Sequence, residues 1–566
     1  MYLSSISIRN FRGIESLDMA FDPSMTVIMG ENNTCKSTVL SAIQLCLGEL
    51  KSDKGNIFEI ADFHIDARHP TIETCNPIEL IVSFVESEQN SWSEAEKQRL
   101  NDVNVGTDKS ALFLKVTGTY VTETRDVETK CAFLNEDHSE IINSGSKKNI
   151  KALSGCVPIF VQDALRDAGK AFGGNSSYWL ELIKANDLPP EEKIRFANEI
   201  AQVQRQLIEA YGGFPSITDE INHISEVVDV GQNGKVTIEP RFPDLRRTIR
   251  YETEVNYQIS DQAKIPIVNF GEGTQSLAVM MLFNAYLKQR MNSGVGYTAP
   301  IVAVEEPEAH LHPNAIYSIW NALKGLLGQK IIVTHSGEIV AQADFSSIRK
   351  LERVGGKVTC REIALELSEK DIGKFRIHFK RDRGALFFSR VWILVEGATE
   401  MEVIDRCASI MGVDLHRRGI GLIYYAQIGV ESILRFADAF GIKCIVTADH
   451  DSNGQKYIET VRRFNANGSN ITHSMYLLPS KTVEMYLCEQ GYGQPYLNYL
   501  SVSGNRLARH LSNIPERQRP SDYWEQVYGC ISRNKPKLAN EALDLMAAQG
   551  EAGVPRYFQD VINAAI

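Results

Sequence analysis

Thr26-Val27-Ile28-Met29-Gly30-Glu31-Asn32-Asn33-Thr34-Cys35-Lys36-Ser37-Thr38 decides the fold of the N-terminal half. An apolar run stops at a glycine, a polar loop follows, and Ser37 to Leu47 reads as a helix, so the order is strand, loop, helix. Such a loop aims backbone N–H groups and a helix N-terminus at phosphates, while a lysine reaches the β/γ oxygens and a hydroxyl reaches Mg²⁺. Gly30, Asn32, Asn33, Thr34, Lys36, Ser37 and Thr38 fill those places. Cys35 stands where the second glycine of GxxxxGK[ST] belongs, and its Cβ occupies a conformationally special position.

Farther along, Ile301-Val302-Ala303-Val304-Glu305-Glu306-Pro307-Glu308 is an apolar strand closed by paired carboxylates, followed by Ala309-His310-Leu311-His312-Pro313. One carboxylate is suited to the Mg²⁺ shell and the other to orienting an attacking water. Lys330-Ile331-Ile332-Val333-Thr334-His335-Ser336 is a second buried strand, ending in a histidine placed to sense a γ-phosphate. With Asn10-Phe11-Arg12-Gly13 and the helix-opening Phe270-Gly271-Glu272-Gly273-Thr274-Gln275-Ser276, these blocks resemble the ABC-type ATPases of the SMC and RecF group. The resemblance implies ATP held between two protomers, with Arg12 in the nucleotide site. It implies Glu305 as metal-shell acid, Glu306 as catalytic base, His335 as switch, and Gly271, Gly273 and Gln275 acting in trans. Cys35, and Glu305 where that group has Asp, depart from the pattern; binding is expected, with slow hydrolysis or a purely gating nucleotide.

The C-terminal part repeats the strand-to-helix logic with other chemistry. Val391-Trp392-Ile393-Leu394-Val395, Gly421 to Tyr425 and Cys444 to Ala448 read as strands separated by helical sequence. The first is followed by Glu396-Gly397-Ala398-Thr399-Glu400, and the third by Asp449-His450-Asp451-Ser452-Asn453-Gly454. Parallel strands bring their carboxyl ends to one edge, so Glu396, Asp449 and Asp451 are expected to gather there. Carboxylates so placed repel one another unless a divalent cation lies between them, and oxygen-only ligands favour Mg²⁺ or Mn²⁺ over zinc.

This EGxxE…DxD set resembles the TOPRIM domain. Pro479-Ser480-Lys481-Thr482-Val483-Glu484 and Lys535-Pro536-Lys537-Leu538-Ala539 further resemble the overcoming-lysogenisation-defect (OLD) nucleases. That likeness implies that Ser480 and Glu484 complete the metal cluster and that Lys535, rather than Lys537, stabilises the scissile phosphate. Glu396, Glu400, Asp449, Asp451 and Glu484 supply ligands for two Mg²⁺ or Mn²⁺ ions.

At 566 residues the chain exceeds one hydrophobic core. Ten cysteines without a CxxC pair argue against a zinc knuckle or a disulfide framework. The net charge of −11 disfavours a protein that coats nucleic acid non-specifically, but not an enzyme with a local basic groove. No apolar run reaches membrane-span length and the start lacks a signal-peptide core, so a cytoplasmic protein without membrane contact is expected.

The expected fold is α/β. An ABC-type ATPase occupies 1–165 and 236–370, a helical insert 166–235, a basic linker 371–388 and a TOPRIM nuclease domain 389–566. Residues 78–85 and 111–121 read as strands, 143–149 as a loop, and 235–239 and 248–259 as further strands. In the insert, Ile194, Phe196, Ile200, Val203, Leu207 and Ile208 have heptad-like spacing, which fits either packing within the domain or a dimer contact. Arg506 to His510 and the linker around Lys380-Arg381 are candidate contacts to a DNA backbone.

The domain order implies an ATP-gated, metal-dependent DNA endonuclease of the OLD family acting in anti-phage defence. It implies a homodimer or larger homo-oligomer, and leaves room for a controlling defence protein or nucleic acid. The rival reading is a nucleotide-switched DNA clamp with an inactive TOPRIM site. A topoisomerase would need a tyrosine domain and gates, and a primase a zinc module, for which the partitioned chain has no space.

Overall fold

The structure is a computed structural model that describes the chain except residues 51–55, 88–91, 93, 107–108, 163–187, 211–255, 261–262, 293–299, 310–311, 313–314, 364–367, 369, 371, 376–383, 427 and 532–533. Alternating apolar residues form β1 (Tyr2–Phe11) and β2 (Ile14–Ala20), and the run before the loop forms β3 (Met25–Gly30). The expected strands at 78–85 and 111–121 are β4 (Ile78–Val85) and β5 (Ala111–Val121), followed by β6 (Asp126–Leu134). These make an antiparallel sheet in the order β2-β1-β4-β5-β6, which leaves β3 to a second sheet.

That second sheet adds β7 (Ile159–Gln162); a separate hairpin follows, β8 (Asn256–Ser260) with β9 (Ala263–Pro266). The sheet continues with β10 (Ile301–Glu305), β11 (Gln329–Thr334), β12 (Ile348–Val354) and β13 (Lys357–Glu362). Its order is β13-β12-β3-β11-β10-β7, parallel except for the β12–β13 pair. The central strands read as continuous apolar runs because both faces are covered. Ile28, Ala303, Ile331 and Val333 pack with Val39 and Ile43 of the helix Lys36–Gln44. Val27, Met29, Val302, Val304 and Ile332 pack with Phe283, Ile319 and Leu323 on the other side.

The third sheet is wholly parallel: β14 (Val391–Val395), β15 (Ile420–Tyr424), β16 (Lys443–Ala448) and β17 (Ser474–Leu477), ordered β15-β14-β16-β17. Strand periodicity again divides the side chains. Ile393, Val395 and Ile445 enter a core with the C-terminal helices, while Trp392, Leu394, Cys444 and Val446 join the core that also holds Val27 and Met29. The second and third sheets therefore share one continuous hydrophobic core.

The described parts of the segment expected as a linker, 372–375 and 384–388, contribute to that core. Residues 372–375 form a helical turn and Gly384–Phe388 a 3-10 turn. Phe375 and Phe387 are fully buried, and Phe436 stacks on both Phe375 and Phe440 with ring centroids 4.5 Å apart. The aromatic residues outweigh the basic composition that suggested a spacer. The loop expected over 143–149 is shorter: Ser146 accepts a hydrogen bond from the Asn149 N–H and starts the helix Lys147–Cys156, with Ile150 and Leu153 buried one turn apart.

Of the helical insert, Pro190–Ala210 is a helix, carrying Ile194 to Ile208; residues 166–187 and 211–235 lie outside the described residues. So do 235–239, the first part of 248–259, His310, Leu311 and Pro313, and Arg376, Lys380, Arg381 and Arg383 of the basic segment. No helix among the described residues is long and apolar enough to cross a membrane.

Candidate functional site

Two clusters occupy the carboxyl edges of the two parallel sheets. In the first, Gly30 closes β3 where a Cβ would meet the Leu351 carbonyl oxygen at 2.5 Å, so the strand turns where only glycine fits. Thr34 donates to the Glu31 carbonyl at 2.9 Å. Asn33 and Cys35 adopt left-handed backbone, φ 67° and 65°. Cys35 thus takes the conformation that the absent glycine would take freely, at a cost of about 1–2 kcal/mol for a residue with a Cβ. Its Sγ lies 3.6 Å from Arg353 Nη2, which also donates to the Gly13 carbonyl at 3.4 Å. The turn carrying Arg12 and Gly13 therefore abuts the loop, and Arg12 is itself anchored on Asp62, 2.8 Å.

Lys36 is buried and donates to the carbonyls of Gly30 at 3.0 Å and Glu31 at 2.8 Å. Burial pushes its amine down to about 8, against the pull of Glu306 and Glu305. Ser37 donates to Glu305 at the end of β10, so two distant chain segments meet there. Glu306 has left-handed φ (43°), and its carboxylate lies 3.9 Å from His335 Nε2. Burial, then Lys36, holds the His335 imidazole below its usual range, so it is neutral near physiological pH.

Two residues here escaped sequence reasoning. Glu308 accepts from Thr334 Oγ1 and from the His335 N–H, both at 2.8 Å, and so fixes the strand end that carries the histidine. Gln162 ends β7 beside Val304, buried, with neither amide atom hydrogen-bonded. Its signal was the short apolar run Ile159-Phe160-Val161 closed by a polar residue. Gln275 turns its amide back onto the Val268 and Phe270 carbonyls at 3.0 and 2.7 Å, in the segment that also holds Gly271 and Gly273.

The second cluster starts where β14 and β16, neighbours in the sheet, deliver Glu396 and Asp449 side by side. Glu400, one turn into the helix Ala398–Ile410, reaches back to accept the N–H groups of Glu396 at 2.5 Å and Gly397 at 2.9 Å. Asp451 caps the helix Ser452–Ala466, accepting from Asn453 at 2.9 Å and Gly454 at 2.7 Å. A Cβ on Gly454 would overlap the Asp449 carbonyl, which explains the glycine.

Burial raises Asp449 well above the carboxylate range, and Glu400, Glu396 and Glu484 raise it further. Burial also raises Glu400, to about 7, against the pull of the Gly397 and Glu396 N–H groups. Glu396 is raised by burial and then by Asp451. Tyr425, Tyr457 and Tyr557 surround these acids, which help burial hold their phenols protonated.

The remaining expected members are placed differently. Ser480 stands at the same edge, its carbonyl accepting the His450 N–H at 3.3 Å, but its hydroxyl donates to Glu489, a residue not foreseen. Glu484 is buried. Lys535 donates its amine to the Tyr528 hydroxyl and sits 3.8 Å over that ring's centre, while Lys537 lies 3.9 Å from Glu541.

Among the described residues, no three His, Cys, Asp or Glu side chains are placed to hold one metal ion together. Backbone N–H groups engage Glu400 and Asp451 instead. The donor chemistry nevertheless fits a hard cation: the set is all oxygen, and Glu396 Oε2 and Asp449 Oδ1 are buried without a hydrogen-bond partner.

Residues 1–385 match the family described as protein of unknown function (DUF2813). The chain belongs to that family. In this DUF2813 chain, residues 387–451, which carry Glu396, Glu400, Asp449 and Asp451, match the overcoming lysogenization defect protein-like TOPRIM domain. The chain is 25% identical to the uncharacterized protein YbjD of Escherichia coli (strain K12), over 100% of its own length and 99% of that protein's. It is 25% identical to the Old nuclease of Escherichia phage P2, covering 79% of this chain and 77% of that one. Identity to the OLD nuclease of Thermus scotoductus is 22%, over 79% and 82%. This DUF2813 member thus carries its OLD-like TOPRIM match directly after the DUF2813 region.

Proposed function

We propose that this protein is an ATP-gated, divalent-metal-dependent DNA endonuclease acting in anti-phage defence. The observation that carries the reading is that Glu396 and Asp449 directly follow neighbouring strands, with Glu396 Oε2 and Asp449 Oδ1 buried and unsatisfied. Buried, mutually repelling acids are costly to retain without a cation to neutralise them.

Glu396, Glu400, Asp449, Asp451 and Glu484 would hold two Mg²⁺ or Mn²⁺ ions, Ser480 completing the set. Bound there, the metals supply an activated water and charge stabilisation at the leaving oxygen. The protein's part is to orient the carboxylates from rigid strand ends, to give up the protons that burial holds on Glu400 and Asp449, and to bring Lys535 from Tyr528 to the scissile phosphate.

In the nucleotide site, Lys36 and the loop N–H groups would bind ATP phosphates, with Arg12, Gly30, Asn32, Asn33, Thr34, Cys35 and Thr38 around them. Ser37 and Glu305 would hold one Mg²⁺, Gln162 completing that shell. Glu306 orients the attacking water and His335 senses the γ-phosphate. Gly271, Gly273 and Gln275 act on a second protomer's nucleotide, which makes the working form a dimer or larger. A partner protein or nucleic acid would control it.

The test is incubation with supercoiled and linear DNA plus Mg²⁺ or Mn²⁺, with and without ATP. Metal-dependent cleavage lost in Asp449→Ala and Asp451→Ala is the expected result. A second reading, a nucleotide-switched DNA clamp, is favoured by the engagement of Glu400 and Asp451 with backbone N–H groups and of Lys535 with Tyr528. DNA binding without cutting under either metal would establish it.

A further inference from the structure

Glu31, the second residue of the phosphate loop, accepts two hydrogen bonds from a single guanidinium: Arg390 Nε to Oε1 at 2.9 Å and Nη2 to Oε2 at 2.8 Å. The partners are 359 residues apart. Arg390 immediately precedes β14, and its backbone is built into the foot of the third sheet. Its N–H donates to the Gly419 carbonyl at 2.8 Å, and its carbonyl accepts from Lys443 at 3.1 Å. Glu31 is held on its other side by Lys36, whose amine donates to the Glu31 carbonyl at 2.8 Å. One residue of the loop thus joins the phosphate-seeking amine, through its backbone, to the TOPRIM-like domain, through its side chain.

We infer that Arg390 is a positioning residue for the nucleotide site, and that the Glu31–Arg390 pair lets β14, and so Glu396, register what the phosphate loop holds. The inference rests on the proposed reading of the loop as an ATP site.

The physical character of the pair fits a relay better than a strut. The two halves are already fastened beneath it by the shared aromatic core and by buried Lys350, whose amine donates to the Phe440 carbonyl at 2.9 Å. The Glu31–Arg390 pair lies largely exposed, beside a cavity of about 580 Å³ lined by the loop, the end of β12 and Phe388 to Arg390. An exposed ion pair adds little stability, but a two-pronged guanidinium fixes the orientation of its carboxylate. Arg390 holds Glu31 below its usual range, so the pair stays charged at neutral pH. When Lys36 turns from the Gly30 and Glu31 carbonyls to a phosphate, the peptide between them loses its anchor. A shift of that peptide is carried to β14 by the fork.

The test measures ATP affinity by equilibrium dialysis on the full chain, together with the ratio of DNA cleavage with ATP to that without. Arg390→Ala is expected to weaken ATP binding by about two- to fivefold and to move the ratio toward one. Arg390→Lys, which keeps the charge without the fork, should fall between, and serves if the alanine variant does not fold. The double reversal Glu31→Arg with Arg390→Glu should bind ATP more tightly than Glu31→Arg alone. Wild-type affinity in Arg390→Ala, or a double reversal no better than the single, overturns the positioning role, and an unchanged ratio overturns the relay. Lys36→Ala is the control that separates the two levels: wild-type ATP binding in that variant overturns the ATP-site reading itself, and the inference with it.

Discussion

Ser37 donates its hydroxyl hydrogen to Glu305, across 268 residues of chain. The contact puts a helix-start hydroxyl and a strand-end acid at one point, the pairing an Mg²⁺–nucleotide needs. Ser37→Ala should therefore leave metal-free ATP binding near wild type and abolish the gain that Mg²⁺ brings. Lys36→Ala should weaken ATP binding by about ten- to a hundredfold, the worth of a hydrogen bond to a charged group. Titration with a fluorescent ATP analogue checks both, and unchanged affinity in Lys36→Ala would count against the loop assignment.

Cys35 occupies left-handed backbone, so its replacements should rank by what sits on Cβ. Cys35→Gly is expected to keep or raise stability and ATP affinity. Cys35→Val, branched at Cβ, should lose about 1–2 kcal/mol. Chemical denaturation read on the first unfolding transition distinguishes them; equal stability of the glycine and valine variants would contradict the strain.

The raised carboxyls of Glu400 and Asp449 predict an unusual pH dependence. Both groups are raised in the folded chain, so the native state holds protons that the unfolded chain releases above about pH 4. Their stabilising contribution is complete below that pH and is lost as pH climbs toward the raised values. Thermal melts should therefore fall between about pH 5 and about pH 8. Mg²⁺ or Mn²⁺ should restore them at the upper end, where the carboxyls are free to bind metal. Asp449→Asn should flatten the slope and remove the metal effect; an identical slope in that variant would rule out the pair as its source.

Lys535 is stacked on Tyr528. If its role is at the scissile phosphate, Lys535→Ala should reduce the cleavage rate by about a hundredfold or more with DNA affinity little changed. Tyr528→Phe, which frees the amine from the hydroxyl, should retain cleavage. Equal loss of binding and rate in Lys535→Ala would make the lysine an ordinary backbone contact.

Strand-to-helix turns were the most legible parts of the sequence, because an apolar run ending in Gly30, Glu305, Glu396 or Asp449 names both the element and the edge to which it delivers its last residue. The aromatic segment around Phe375 and Phe387 misled for the opposite reason: basic composition outweighed a few buried rings, and burial depends on partners such as Phe436 that lie far along the chain. Glu308 was invisible because a single acid has no pattern of its own, and Gln162 was missed because the apolar run before it is only three residues long. Lys535 was read from a phrase, whereas the direction of a long flexible side chain depends on which acceptor is nearest, here Tyr528.

β14 gives alternate side chains to two different interiors, Trp392 and Leu394 to one and Ile393 and Val395 to the other. Neither half is then a portable cassette. A fragment cut near residue 387 would leave a tryptophan and its aromatic neighbours facing water and invite aggregation. Grafting the acid-bearing half onto a foreign motor would require the recipient to supply a matching greasy seat, so the two halves are constrained to diversify together.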